Sequence, residues 1–260
     1  MSEIDPRAII SPSARLGKCV KVAACAVVGD GVELGDGCIL EPHAVVKGPS
    51  KFGRNNHFHS FSIVGGDPQD YTFTGQPVRL EVGDANEFRE FCTVHRGTLK
   101  GDGTTRIGSH NLIMAYAHIG HDCNIGDYVT LINGSQLAGH SQVEDYATLS
   151  SFVLVHQFTR IGRYSYIGAG TIITQDVPPF SLIVSSRDTH CYGINRVGLE
   201  RRGFSPERIK AVEKAFRYLL RSKLNTSQAL EKMRGTLADS EDVSTLIRFI
   251  ESTTERGLTK

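Results

Sequence analysis

Aliphatic side chains recur at every sixth position along most of this chain. One series runs Ile107, Ile113, Ile119, Ile125, Leu131, Leu137, Val143, Leu149, Val155, Ile161, Ile167, Ile173. An earlier one runs Ile10, Leu16, Val22, Val28, Leu34, Leu40, Val46, Phe52, Phe58, Val64. An α-helix repeats every 3.6 residues and an ordinary strand every two, so neither sustains a period of six. A long fixed period marks a repeat architecture. The residue four places on is small in most repeats (Ala14, Ala26, Cys38, Ala44), and the residue directly after the aliphatic is often glycine (Gly17, Gly29, Gly35, Gly53, Gly65). Each hexad therefore reads as a short strand with its aliphatic pointing inward, followed by a tight corner that the glycine permits. Three hexads close one coil of a triangular prism.

The pattern breaks twice. Residues 66–79 lack aliphatics at the expected places before Val82, Phe88 and Val94 resume. Residues 95–106, rich in Gly and Thr, shift the register by one before Ile107. Two loops extruded from a rigid repeat are where function concentrates. The ladder stops at Val177-Pro178-Pro179, and an irregular joint over 180–204 follows. Ser205-Pro206-Glu207 then reads as an N-cap, a first-turn proline and a first-turn acid, ahead of a helical face at Ile209, Val212, Ala215, Phe216, Leu219 and Leu220. A second helix is expected after Thr226 and a third after Ser240. The predicted organisation is a β-prism over 1–190, with extruded loops 66–79 and 95–106, and a helical C-terminal domain over 191–260.

Composition narrows the function classes. The chain has 260 residues, 22% charged, with a net charge of +1. Without a polybasic segment there is no footprint for nucleic acid. No apolar run approaches the ~18 residues of a transmembrane helix. The N-terminus lacks the basic and apolar regions of a signal peptide, so a cytoplasmic protein without membrane insertion is expected. Of the six cysteines, Cys38, Cys92 and Cys123 fall four places after a ladder residue and Cys19 and Cys25 are one repeat apart, so the set reads as small packing residues rather than disulfides or metal ligands.

Against this aliphatic background, Ala117-His118-Ile119-Gly120-His121-Asp122 is dense in titratable groups. Residues one coil apart stack about 4.8 Å from each other. That aligns His121 with Gly139 and Gln157, and Asp122 with His140 and Phe158; His156 lies on the same coil as Gln157. A histidine beside a carboxylate, with no serine or cysteine nucleophile, suits general-base attack of a substrate hydroxyl on an acyl carbonyl. The side-chain-free Gly139 is the candidate oxyanion N–H donor. The plain alternative is a set of exposed or interface histidines. A zinc set of His118, His121 and His140 is also conceivable, but no carboxylate or cysteine completes a familiar spacing, and no metal is expected.

Several segments go beyond what a generic hexad supplies. They are Val94-His95-Arg96-Gly97-Thr98, Ala117 to Cys123, Leu137-Ala138-Gly139-His140, Val155-His156-Gln157-Phe158, Gln175-Asp176-Val177-Pro178-Pro179, and Gly198 to Ser205. Together they resemble the acyl-[acyl-carrier-protein]:UDP-N-acetylglucosamine O-acyltransferase family, which opens lipid A biosynthesis. The resemblance spans essentially the whole chain. It implies an all-β left-handed parallel β-helix of hexapeptide repeats, an exception to the right-handed crossover preference, with a small C-terminal α-helical domain. It implies a homotrimer with sites in the clefts between prisms. His121 is then the base for the glucosamine 3-hydroxyl, with Asp122 and His140 beside it and Gly139 as oxyanion donor. Asp70 and His118 are implied to hold the sugar nucleotide. Gln157, Asn195, Arg201 and Arg202 are implied to contact the nucleotide and its phosphates. His156 is implied to line the acyl-phosphopantetheine path, and Ala169 falls where the family sets acyl length. No cofactor is implied beyond the phosphopantetheine that arrives on acyl carrier protein.

Three departures stand out. Thr72 occupies a position where the family commonly has lysine, which leaves open an N-acyltransferase acting on a 3-amino sugar nucleotide. Val197 replaces a commonly acidic residue, and Ala169 carries a methyl where a more open groove has none. Between Arg196 and Lys223, nine Lys or Arg face three Glu. That balance fits electrostatic steering of an acidic carrier protein, or simply a solvated helix face.

Overall fold

The computed structural model describes residues 2–185, 189–253 and 255–260. Twenty-six strands of two to four residues wind into a prism with three parallel faces. The first face includes Lys21–Val22, Ile39–Leu40, His57–Phe58 and Glu87–Phe88. The second includes His118–Ile119, Gln136–Leu137, Leu154–Val155 and Ile172–Ile173. The third runs from Arg15–Leu16 to Arg160–Ile161. The aliphatic at each sixth position fills the interior, and every ladder residue from Val22 to Ile173 is buried. The ladder starts one strand earlier than its sequence suggests, at Glu3–Ile4. Regular coils pair residues eighteen apart, as in Val22 with Leu40. The two loops appear as longer steps: Phe52 pairs with Val82 and Phe88 with Ile113, so the chain leaves the prism and re-enters in phase.

The glycine that follows the aliphatic has a different reason from the expected one. The left-handed corner residue lies three places after the aliphatic and is mostly not glycine: Asn55, Phe61, Tyr116, Asp122, His140, Phe158 and Tyr164 all have φ between 55° and 63°. Gly17, Gly35 and Gly53 are required because the next coil lies directly on them. A Cβ on Gly35 falls 2.4 Å from the carbonyl oxygen of Gly53. The non-glycine corners are held by stacking up each edge, as in Tyr128, Tyr146 and Tyr164 at ring spacings of 4.9 and 4.7 Å. The cysteines also divide. Cys38, Cys92, Cys123 and Cys191 are buried, but Cys19 and Cys25 are exposed corner residues with positive φ, so they do not pack inside.

The joint over 180–204 is ordered where described, unlike its sequence reading. Ser181–Ser185 and Thr189–Ile194 form an antiparallel hairpin that extends the first face from Tyr166–Ile167. A short helix α1 (Arg196–Arg201) follows. The second hairpin strand runs through position 190, so the prism passes into the tail within a strand. Helices α2 (Pro206–Leu220), α3 (Thr226–Thr236) and α4 (Glu241–Glu251) start at caps Ser205, Asn225 and Ser240. Arg208 of α2 grips Asp242 of α4 with two hydrogen bonds of 2.9 and 2.8 Å. Beyond α4 the chain returns to the prism, where Asp176 N–H donates to Gly257 O and Thr259 N–H to Asp176 O, both at 2.8 Å. This strap carries Glu255 and Arg256 to the corner where Asp122 and His140 sit.

Candidate active site

The corner after the second face is set by the repeat. His121 follows Ile119 by two residues, so it stands on the outside of the turn, and Asp122 takes the left-handed position at φ 60°. His121 Nδ1–H donates to Asp122 Oδ2 at 2.8 Å. An ionised carboxylate only accepts, so this bond fixes the tautomer and leaves Nε2 as a lone-pair base. One coil on, Gly139 lies against the imidazole: a Cβ there would come within 2.5 Å of His121 Cε1 and 2.7 Å of Nε2. Among the described residues the Gly139 N–H has no hydrogen-bond partner, which leaves it available as a donor beside the imidazole. His140 stands over Asp122, with Nε2 3.5 Å from Oδ2, and stacks on Phe158 at 4.5 Å. The columns expected from an eighteen-residue coil are therefore present.

Asp122 is held by more than His121. The second extruded loop folds onto it: Thr98 N–H donates to Oδ1 at 2.9 Å and Thr98 Oγ1–H to Oδ2 at 2.6 Å. Asp122 N–H in turn donates to Thr105 Oγ1 at 2.8 Å. Gly101 is needed here, because a Cβ would sit 2.6 Å from Oδ1. Burial alone pushes the Asp122 carboxyl up. The hydrogen bonds from His121 and Thr98, with the nearby His140, outweigh it and hold the group below the usual carboxylate value, so it is ionised. Burial pushes the imidazoles of His118 and His140 down, which favours their neutral forms.

The two loops meet across this corner. Asp70 Oδ1 accepts from Thr72 N–H and Oγ1–H at 2.8 and 2.7 Å, and Oδ2 accepts from Lys100 Nζ at 2.7 Å. Lys100 foremost, with Thr72, holds the Asp70 carboxyl well below its ordinary value. The cation beside Asp70 thus comes from the second loop. Thr98 and Lys100 are the residues to which sequence reasoning gave no role; the signal was their place in an irregular loop and, for Thr98, its place in the segment Val94-His95-Arg96-Gly97-Thr98. His118 lies on the same corner's strand, bonded to Thr93 Oγ1 at 2.8 Å and edge-on to His95 at 4.9 Å. The zinc set considered from sequence does not converge. At this corner the three donors that approach within 4.8 Å of one another are His121, Asp122 and His140, with Asp122 in place of His118. A cavity of about 640 Å³ opens beside them, lined by Asp122, His140, Gln142, Phe158, Glu255 and Arg256.

His156 and Gln157 are exposed on the coil above Gly139, and His156 Nδ1–H donates to Gln157 O at 3.1 Å. On the adjoining second face, outward residues change from polar to apolar in register: His118 pairs with Gln136, then Leu154, then Ile172. Leu154 and Ile172 are 43% and 56% exposed, so a greasy stripe leads away from the histidines. Ala169 stands at the far edge of that face, in the column of Ser151 that follows the Leu149–Ile167 pairing. Asn195, Arg201 and Arg202 are elsewhere. They line a cavity of about 610 Å³ with Tyr146, Tyr164 and Tyr166, at the corner across the prism from the second face. There Asn195 Oδ1 caps α1 by accepting from Gly198 N–H at 3.1 Å, and its amide donates to Tyr164 O at 3.0 Å. Arg202 lies over the Tyr146 ring at 4.9 Å. Within this chain the second group does not reach His121.

Two family profiles match. Residues 176–259 fit the one described as Udp N-acetylglucosamine O-acyltransferase, domain 2, and residues 104–139 fit the bacterial transferase hexapeptide, six repeats. The acyl-[acyl-carrier-protein]--UDP-N-acetylglucosamine O-acyltransferase of Ectopseudomonas mendocina is 46% identical over all of both chains. That of Xylella fastidiosa is 44% identical over 96% of this chain and 95% of its own length. The chain belongs to this acyltransferase family. A solved UDP-N-acetylglucosamine acyltransferase from Bacteroides fragilis superposes with a TM-score of 0.95 at 34% identity, covering 98% of this chain and 99% of the other. With the hexapeptide match, that makes the acyltransferase's prism a left-handed parallel β-helix.

Proposed function

We propose that the protein transfers a (3R)-3-hydroxyacyl chain from acyl carrier protein to the glucosamine 3-hydroxyl of UDP-N-acetylglucosamine, the opening step of lipid A biosynthesis. The observation that carries the mechanism is the His121–Asp122–Gly139 arrangement. Asp122 fixes the tautomer that leaves His121 Nε2 basic, and Gly139 offers an unspent N–H next to it. Nε2 takes the proton of the sugar hydroxyl as its oxygen bonds to the thioester carbon. The carbonyl electrons move onto oxygen, where Gly139 N–H donates to them. Collapse of the tetrahedral intermediate breaks the C–S bond, and the imidazolium returns its proton to the departing phosphopantetheine thiolate. No covalent enzyme intermediate and no cofactor of the enzyme's own are needed.

In this reading Asp70 and His118 hold the sugar, His156 flanks the phosphopantetheine, and the acyl chain lies along Leu154 and Ile172 toward Ala169. Gln157, Asn195, Arg201 and Arg202 receive the nucleotide. Since Asn195 and both arginines sit across the prism, a neighbouring protomer brings its copy to the His121 corner, and the working form is a homotrimer. No helix is long and apolar enough to cross a membrane, and the reading assigns the enzyme to the cytoplasm. Supplying one acyl carrier protein donor with UDP-N-acetylglucosamine or its 3-amino analogue tests the acceptor. An ester product from the first supports the proposal; preference for the amine, giving an amide, refutes it.

A further inference from the structure

We propose that Glu41, His57 and His59 form a binding site for a zinc-type divalent cation on the first face of the prism, separate from the His121 corner. His57 and His59 flank the buried Phe58, so the strand's alternation turns both imidazoles outward. Glu41 reaches the same spot from the coil below, where Leu40 pairs with Phe58. His57 Nε2 and His59 Nδ1 lie 3.0 and 3.1 Å from one oxygen, Glu41 Oε1. All three donors fall within 4.8 Å of one another. Ligands bound to zinc at about 2.0–2.1 Å in tetrahedral geometry stand roughly 3.3 Å apart, so a cation fits with small movements. Two imidazoles and one carboxylate is a zinc donor set.

The surroundings are those of a ligand shell. Glu41's other oxygen accepts from Ser60 N–H at 3.3 Å and Oγ–H at 3.4 Å, which fixes the carboxylate. Coordination through Nδ1 puts the His59 proton on Nε2. That atom is buried without a hydrogen-bond partner and lies 4.0 Å from Glu87 Oε2. A short approach would complete the carboxylate–histidine–metal relay that orients zinc ligands. The His57 and His59 rings stack at 4.0 Å, which holds both imidazoles side by side over the Glu41 carboxylate. Glu90 Oε1 stands 4.0 Å from His59 Nδ1, within reach as a fourth ligand, and Arg89, the nearby cation, is paired to Glu90 at 3.0 Å.

The test uses tag-free, chelator-stripped full-length protein and Zn²⁺ titrated against a chromophoric chelator, with Co²⁺ as a spectroscopic probe of geometry. One Zn²⁺ per chain is expected at this site, with a tetrahedral Co²⁺ spectrum. Glu41→Gln and His57→Gln should each weaken it by about 100-fold or more. His121→Ala, which disables the other trio of donors, should leave it unchanged. Zn²⁺ should raise the melting temperature of wild type and His121→Ala but not of Glu41→Gln, and Glu41→Gln should retain acyl transfer. Absence of stoichiometric binding would overturn the site. So would binding that survives both Glu41→Gln and His57→Gln, or that disappears only in His121→Ala.

Discussion

Gly139→Ala separates the geometry of the base from everything else at the corner. The added methyl is aimed at His121, 2.5 Å from Cε1, 2.7 Å from Nε2 and 3.0 Å from Nδ1. Carbon atoms in contact settle at about 3.5–4.0 Å, so the imidazole has to move by roughly 1 Å. Gly139 does not use left-handed backbone, so alanine is tolerated there without strain. The His121 side chain is 19% exposed and has room to swing outward. The fold therefore survives, with the melting temperature lowered by about 4 °C or less, and the amide N–H proposed for the oxyanion is still present. A misplacement of about 1 Å costs on the order of 10²-fold in rate, or about 2.7 kcal/mol of barrier. Steady-state kcat with an acyl carrier protein donor should fall by that factor, while circular dichroism and oligomeric state match wild type. Gly120→Ala is the contrasting variant. Its methyl meets backbone, Leu137 O at 2.8 Å and Gly139 N at 2.9 Å, which cannot swing away. It should destabilise the protein by about 1–3 kcal/mol. A Gly139→Ala enzyme with kcat within threefold of wild type would refute the packing of His121 against Gly139 as the reason for glycine.

Thr98→Val removes the 2.6 Å bond to Asp122 Oδ2 and should lower kcat about tenfold, some 1.4 kcal/mol, with little change in KM for either substrate. Lys100→Thr should raise KM for the sugar nucleotide roughly three- to fivefold, the range an exposed ion pair commands. Thr72→Lys in that background should restore it, because position 72 touches the same Asp70 carboxylate; no recovery would show that Lys100 acts elsewhere. Burial first, then the neighbouring His118 and His121, holds His95 at about 4 rather than 6.5. The unfolded chain then binds more protons between those values, so stability is complete above about pH 6.5 and declines as pH falls toward 4, by up to roughly 3 kcal/mol from this group. Urea unfolding across that window should show the slope, reduced in His95→Gln; an equal slope in the variant would assign it to other groups.

The prism was legible because its rule is one-dimensional. A buried aliphatic every six residues leaves no other period, and stacking at eighteen then placed Gly139 over His121 and His140 over Asp122 without knowledge of any side-chain angle. Glycine was misread for a related reason. Sequence shows where Gly35 falls, but only stacked coils show that the Gly53 carbonyl lies 2.4 Å from its missing Cβ. The hairpin at Ser181–Ser185 escaped notice because it is antiparallel and closes the repeat rather than continuing it. Thr98 and Lys100 sit in a loop whose path follows from its contacts with Asp122 and Asp70, and no periodicity encodes those. The separation of Asn195, Arg201 and Arg202 from His121 is likewise a matter of which corner each column occupies, which a motif does not reveal.

The central claim is that His121 Nε2, oriented by Asp122, takes the proton from the acceptor. It is tested most directly by kcat of His121→Ala at saturating acyl carrier protein donor and UDP-N-acetylglucosamine, on protein whose oligomeric state and melting temperature match wild type. The predicted result is a fall of about 10²- to 10⁴-fold, the contribution of a positioned general base. Turnover within threefold of wild type would contradict it and move the base to another group at this corner.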